Sequence, residues 1–409
     1  MEKSHPPHSR CRVCGSELSA RRLDLGNLPA SNRFDAQAVV AETHRICVGQ
    51  CAQCGLVQLD GAPPPSFVLP RVPWISYREP EVHLDDLVER LTRQRPDWPR
   101  TVIGTSTFDG PLTTRLAARG TTASALPPPT PYVLEDGTDA YPYLETIQAA
   151  LEPGALARAA KQLGTADLVC CRYLLEHCHT PVAALHGLRA LMAEGGLLLV
   201  EIPDSTKFLV RHDFSFIWEE HVSYFTAATF RAAAAYAGFE MVELVRYEGA
   251  LEDALVGLLR PTAKVATGTQ PDPSDLAAFA AFAAAFEPLK KNYQAQLGNV
   301  IGNGGKVALL GAGHQGIMFV NALELQDYVS IVADDAPTKA GRYPSGLAVS
   351  VEPSSAIIED AAVRLVLLSV APGIEPIVRE KLTAVTARGG AIKSIFQTGA
   401  KTLDRAAAP

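Results

Sequence analysis

Two short cysteine pairs constrain the start of this chain more than any other feature. "CRVC" spans residues 11–14 and "CAQC" spans 51–54. Each pair can place two thiolates on one ion from a tight turn, and two pairs complete a tetrahedral four-cysteine zinc site. The chain between them must then fold back on itself. Residues 1–70 are therefore expected to form a zinc-binding domain of short strands and turns, with Cys11, Cys14, Cys51 and Cys54 as ligands. Protein fills all four positions, so the zinc is structural rather than catalytic. Cys47, on the run "HRICVGQ", reads as a packing residue. The N-terminus lacks the apolar core of a signal peptide, so the expected location is the cytoplasm, where thiols persist or bind metal.

The remaining residues are too many for one core, since the chain has 409 in all. Within 75–265, "TADLVCC" (165–171) and "LLLVEIPD" (197–204) read as buried strands. "PVAALHGLRALMAEGG" (181–196) between them reads as a helix that stops at Gly195-Gly196. Strands alternating with helices argue an α/β fold with a doubly wound parallel sheet. A polar stretch, "TGTQPDPSD" (267–275), reads as a linker, and an Ala-rich helix follows over 276–297. The last unit, 276–405, is expected to be Rossmann-like. With a formal charge of −7 and no long basic run, nucleic acid is not an expected partner. No apolar run is long enough to span a membrane. A small-molecule substrate is expected, and the sequence sets no oligomeric state.

"KVALLGAGHQG" (306–316) reads as a strand, then Gly311, Gly313 and Gly316 in a G-x-G-x-x-G turn, then a helix. Asp334 follows 18 residues after Gly316, beyond the strand "YVSIVAD". The turn fits the dinucleotide fingerprint of NAD enzymes, and its phosphate-cradling geometry equally suits a substrate nucleotide. His314 and Gln315 lie on it and are candidate substrate contacts.

"FSFIWEEHVSYFT" (214–226) sets Glu219, Glu220 and His221 among aromatics. An imidazole beside carboxylates in so apolar a stretch is a candidate general base.

These pieces together resemble the zinc-containing sugar C-methyltransferases of bacterial deoxysugar pathways. "CRVCGSELSARRLDLGNLPASNRF", "CAQCGLVQL", "EEHVSYFT", "GAGHQGIMFVNAL" and "VADDAPTKAGRYPSGLAV" carry the likeness, in that order. The resemblance implies a zinc domain, a class I methyltransferase domain and a C-terminal Rossmann-like domain. It also implies S-adenosylmethionine (SAM) in the middle domain and a nucleotide-linked keto-sugar between the second and third. In that family a histidine removes the proton beside the ketone. His221 matches it, with Glu220 placed to orient the imidazole. His177 in "YLLEHCHTP" matches a second active-site histidine. Trp74 in "VPWISY" and Trp218 stand where the family has tyrosines near the sugar, and Tyr77 and Tyr224 are further candidate contacts.

The sequence departs from the family at the methyl donor. The first glycine turn reads "TVIGTSTFDGPL" (101–112): Gly104, Asp109 and Gly110 remain as candidate cofactor contacts, but the spacing is stretched and Phe108 intrudes. The next strand, in "TTASALPPPTPYVLEDG" (121–137), lacks the terminal acid that holds ribose hydroxyls, and Glu135 and Asp136 come late. Four readings follow: a C-methyltransferase-like enzyme; a SAM-independent isomerase, epimerase or lyase using Glu220 and His221; an NAD-binding oxidoreductase; and a non-catalytic partner subunit, which the retained charged aromatic stretch at 214–226 disfavours.

Overall fold

The computed structural model describes residues 10–69, 79–93, 97–127, 147–148, 150–397 and 403. Trp74, Tyr77, Glu135 and Asp136 lie outside these residues.

The cysteine-bearing segment forms an antiparallel sheet. β1 (Leu18–Pro29) pairs with β3 (Thr43–Cys51), and β3 pairs with β4 (Val57–Leu59). Between β1 and β3 lies the short β2 (Phe34–Asp35). Ile46 to Cys51 are buried without interruption, Cys47 among them.

The middle sheet has the order β6-β5-β7-β8-β11-β10. Its members are β5 (Thr101–Gly104), β6 (Thr122–Ala125), β7 (Ala166–Arg172), β8 (Met192–Asp204), β10 (Phe239–Tyr247) and β11 (Asp253–Pro261). β6 through β8 run parallel; β11 runs antiparallel to both β8 and β10. Helix α1 (Gly110–Ala117) follows β5, and α2 (Pro181–Leu188) follows β7.

One sequence expectation fails here. The helix read over 181–196 ends at Leu188, and β8 already begins at Met192, so the glycine pair lies inside a strand. The pairing register of β7 and β8 shifts between Ala166 and Leu168. Gly195 has φ +73°, and a Cβ on Gly196 would sit 3.0 Å from the Ala166 carbonyl oxygen. The glycines serve an irregularity in the ladder, where Gly is as much at home as beyond a helix end.

After β11, Asp272 caps α4 (Pro273–Gly302) by accepting from Ser274 N, so the expected linker runs directly into this helix. Ahead of it in the chain, α3 (Ala227–Tyr236) packs on the middle sheet. α4 buries Phe279, Phe282, Phe286, Leu289, Tyr293 and Leu297 along one face at helical spacing. The C-terminal sheet is parallel, in the order β15-β13-β12-β16-β17. It comprises β12 (Lys306–Leu310), β13 (Val329–Ala333), β15 (Val351–Glu352), β16 (Val363–Leu368) and β17 (Ala391–Ser394), with α5 (His314–Ala322) after β12.

Two small ladders stitch the sheets together. β9 (Ser223–Tyr224), in the Glu-His segment, adds to β4, while β14 (Tyr343–Pro344) pairs with β2. The N-terminal sheet and α4 also share a core with the C-terminal sheet, joining Ile46 and Val48 to Phe279, Phe282, Val307 and Leu309. Among the described residues, no helix is long and apolar enough to cross a membrane.

Candidate functional site

The cysteine turns are built alike. Gly15 N donates to the Cys11 carbonyl at 2.9 Å, and Gly55 N donates to the Cys51 carbonyl at 3.0 Å. Both glycines have positive φ, +73° and +83°, which a residue with a Cβ rarely adopts. Val13 N and Gln53 N each point at a cysteine sulfur at 3.4 Å. Cys11 and Cys54 sulfurs lie 3.5 Å apart, and Cys14 and Cys51 sulfurs 3.4 Å apart. Tetrahedral zinc with Zn–S bonds of about 2.3 Å sets its sulfurs about 3.8 Å apart. The four thiols therefore fit zinc, which would tie the two turns together.

The Glu-His loop is held on every side. Glu219 accepts from Ser31 N at 2.6 Å and from Ser31 Oγ at 2.9 Å. Glu220 Oε1 accepts from Asn32 Nδ2 at 2.7 Å. Tyr224 Oη both accepts from Trp218 N at 3.0 Å and donates to Trp218 O at 3.1 Å. Thr226 then caps α3 by accepting from Thr229 N. Burial raises the Glu219 carboxyl, and the Ser31 bonds partly offset it. Ser31 and Asn32 were not singled out from the sequence, although two adjacent polar residues in the apolar run "LPASNRF" are the available signal.

This frame brings three imidazoles together. The His177 and His221 rings meet edge-on with centroids 4.6 Å apart. Trp218 lies 4.9 Å from His221 and stacks on His314 at 4.4 Å. Burial lowers His177 to about 3 and His314 to about 4, and carries His221 well below 6.5 with help from its two imidazole neighbours. Glu176 lies close by: its carboxylate and the ring nitrogens of His177 and His221 come within 4.8 Å of one another. Glu176 is 1% exposed, and its Oε2 has no hydrogen-bond partner among the described residues.

His221, Trp218, His314 and Gln315 line a cleft of about 830 Å³. Its other walls include Glu79, Pro80, Val82 and His83 and residues 247–252. His177 and Glu220 stand one layer back, 4% and 2% exposed, and Tyr224 at 2% supports Trp218.

Comparison with known proteins adds the family. A "Methyltransferase domain" model matches residues 113–244, a "Putative zinc binding domain" model matches 11–67, and a "C-methyltransferase C-terminal domain" model matches 265–395. The chain is a methyltransferase-family enzyme. No curated protein matches it. Among solved structures it is similar to a 1,6-didemethyltoxoflavin N1-methyltransferase of Burkholderia thailandensis, at 15% identity and TM-score 0.27, covering 46% of this chain and 93% of that one. A SAM-dependent methyltransferase of Archaeoglobus fulgidus is 14% identical with TM-score 0.30, covering 43% and 94%. The N-methyltransferase NodS of Bradyrhizobium japonicum is 16% identical with TM-score 0.27, covering 44% and 98%.

In this methyltransferase-family enzyme the turn after β5 is filled by its own side chain. Asp109 accepts from Thr105 N at 2.7 Å, Ser106 N at 3.0 Å and Arg172 N at 3.0 Å. A Cβ on Gly104 would lie 3.0 Å from Asp109 Cβ, so Gly104 makes room for Asp109. Gly110 opens α1. Burial pushes Asp109 up to about 7, against the hydrogen bonds from Ser106 and Thr105. Beside it, the fully buried Arg172 pairs with Glu201 at 2.5 Å and donates to Phe108 O at 2.6 Å. β6 ends at Ala125 without a carboxylate. Among the described residues, this edge does not fit SAM: the amides that would face the donor's amino-acid end are occupied, and the ribose has no acid. The match to the methyltransferase model starts at residue 113, beyond this turn.

The C-terminal glycine turn divides its roles. A Cβ on Gly311 would lie 2.3 Å from Ser369 O, and one on Gly316 would lie 2.8 Å from Gly311 O, so both glycines allow close packing. Gly313 has open space around it. Asp334 accepts from Ala312 N at 3.0 Å and Lys339 Nζ at 2.9 Å, which occupies the acid a dinucleotide ribose would use.

Proposed function

We propose that this enzyme removes a proton beside the carbonyl of a nucleotide-linked keto-sugar held in the cleft, with His221 as the base. The observation that carries this reading is the His221 ring, which faces the cleft and has no hydrogen-bond partner among the described residues. Its low pKa keeps the imidazole neutral, the form in which it can accept a proton. Burial raises the nearby Glu176 carboxyl well above its ordinary range, and this carboxyl can pair with the imidazolium once formed. Glu220 and His177 are positioning residues: Glu220 ties the loop to Asn32, and its carbonyl accepts from His177 Nδ1 at 2.9 Å. Trp218 and His314 supply a flat wall for the sugar. Open space at Gly313 beside the N-terminus of α5 supports placing the phosphates there.

The fate of the carbanion follows from the turn after β5. Asp109 occupies it, which favours return of a proton over transfer of a methyl group. The reading is thus a SAM-independent isomerase or epimerase on a methyltransferase-family fold. The test is incubation with nucleotide-linked keto-sugars in deuterium oxide without SAM. Deuterium should enter at the carbon beside the carbonyl, and His221→Gln should stop it. Exchange that appears only with SAM would favour methyl transfer, and no exchange under either condition would overturn the proposal.

A further inference from the structure

One imidazole of the cleft stands apart from the His221 group. His83 lies in the cleft wall. His221 packs against His177 and Trp218, whereas the His83 ring packs on Tyr247, with centroids 4.6 Å apart. Tyr247 Oη in turn donates to Asp86 at 2.8 Å. The His83 carbonyl accepts from Leu87 N at 3.0 Å at the start of the helix Leu84–Arg93, which fixes its backbone.

A buried carboxylate backs His83. Its Nε2 lies 2.9 Å from Glu201 Oε1, and the two side chains are 9% and 0% exposed. Glu201 sits on β8 beside Arg172 of β7, and Arg172 Nε holds its other oxygen at 2.5 Å. Arg172 is itself fixed by donating to Phe108 O at 2.6 Å and Pro80 O at 2.9 Å. Burial pushes Glu201 up, but its contacts with His83 and Arg172 outweigh that and hold it below its ordinary value. A carboxylate at Nε2 keeps a hydrogen on that nitrogen and balances the charge of an imidazolium. Nδ1 is then the nitrogen left for a substrate.

We infer that His83 is the second acid–base group of the reaction, giving a proton from Nδ1 to the face of the enolate opposite the one that His221 deprotonates. This rests on the proposed function and names the residue that turns deprotonation into inversion. His221 enters the cleft from the Glu-His loop and His83 from the strand ends at Arg172 and Glu201, so a flat enolate between them presents one face to each. A single base returns its proton to the face it came from, and the carbon keeps its configuration. In the forward direction the C–H bond breaks toward His221, and its electron pair enters the enolate. A new C–H bond then forms at the same carbon with the proton of His83. His221 ends as imidazolium and His83 as neutral imidazole, nothing is oxidised or reduced, and exchange with water resets both. From the opposite epimer the two rings trade roles.

The experiment uses uridine- and thymidine-diphosphate-linked keto-sugars in deuterium oxide without SAM, with NMR reading deuterium content and configuration. The unaltered enzyme should both exchange and invert the carbon beside the carbonyl. His83→Gln should keep exchanging the starting epimer with its configuration retained, while inversion falls by about a hundred- to ten-thousand-fold. The product epimer, isolated from the unaltered enzyme, supplies the converse test: His221→Gln should still exchange it, and His83→Gln should not. That arm with His221→Gln decides the matter should His83→Gln fail to fold, which circular dichroism and melting report. Inversion by His83→Gln near the unaltered rate, equal loss of exchange and inversion in folded His83→Gln, or a product epimer left unexchanged by His221→Gln overturns the inference. Exchange without inversion in the unaltered enzyme sinks this inference alone. No exchange in the unaltered enzyme sinks the deprotonation reading and this inference with it.

Discussion

His177 Nδ1 donates to the backbone carbonyl of Glu220 at 2.9 Å, one residue before His221. A carbonyl only accepts, so Nδ1 carries the hydrogen and the ring plane is fixed against the His221 ring. The loop that presents the base is therefore clamped at Glu219, Glu220 and Tyr224 and braced by His177.

This arrangement predicts different losses at the two histidines. His221→Gln should lower deuterium exchange by about a hundred- to ten-thousand-fold, the usual effect of removing a general base. His177→Gln should lose less, because it orients rather than reacts. Since burial holds His221 well below 6.5, the exchange rate at saturating substrate should stay level as pH falls from 7.5 through 6.5. A half-loss near pH 6.5 in that profile would show an ordinary, solvated histidine and count against His221.

Much of the architecture is legible in the sequence because it depends on local pattern. Two CxxCG turns, a glycine turn after "KVALL" and apolar strands at helix-length spacing are each written in neighbouring residues. The start of β8 is not, because Gly195-Gly196 marks a helix end or a strand irregularity equally well, and only the pairing with β7 decides. The same holds at the site. His221 stands out by its aromatic surroundings, whereas Ser31 and Asn32, visible only as two polar residues in an apolar run, lie 188 positions before Glu219 and Glu220, and nothing local says that they meet. The turn at 104–110 shows its stretched spacing in sequence, but that Asp109 folds into it depends on the strand partner Arg172.

Zinc is the next prediction. The purified protein should retain about one zinc per chain after dialysis, measured by elemental analysis. Because metal binding is folding energy at such sites, Cys51→Ala should lower the melting temperature and release the metal. β3 carries Cys51 and β4 pairs with the β9 strand of the Glu-His loop, so chelation should also loosen the loop and reduce exchange. Well-folded protein with no zinc would refute the assignment.

SAM binding is tested directly by calorimetry. With Asp109 across the amides of Thr105 and Ser106, no heat of binding is expected at millimolar SAM. Asp109→Asn keeps the shape but weakens the acceptor, and should lower stability without restoring SAM binding. Micromolar affinity in the unaltered protein would return methyl transfer to the front.

Glu79 and Glu252, which line the cleft, make a prediction about stability that needs no substrate. Glu79 sits at about 7 and Glu252 at about 8 in the folded protein, each raised first by burial. In the unfolded chain both titrate near the ordinary glutamate value of about 4.3. Between these values the folded state holds protons that the unfolded state has released. Stability from these two groups is therefore complete below about pH 4.3, falls as pH rises, and levels off above about 8. Glutamine cannot titrate, so Glu79→Gln/Glu252→Gln should remove this fall. The melting temperature of the double variant, relative to the unaltered protein, should climb steadily from pH 5.5 to 8. A constant difference across that range would mean that the two carboxyls are solvated and unperturbed.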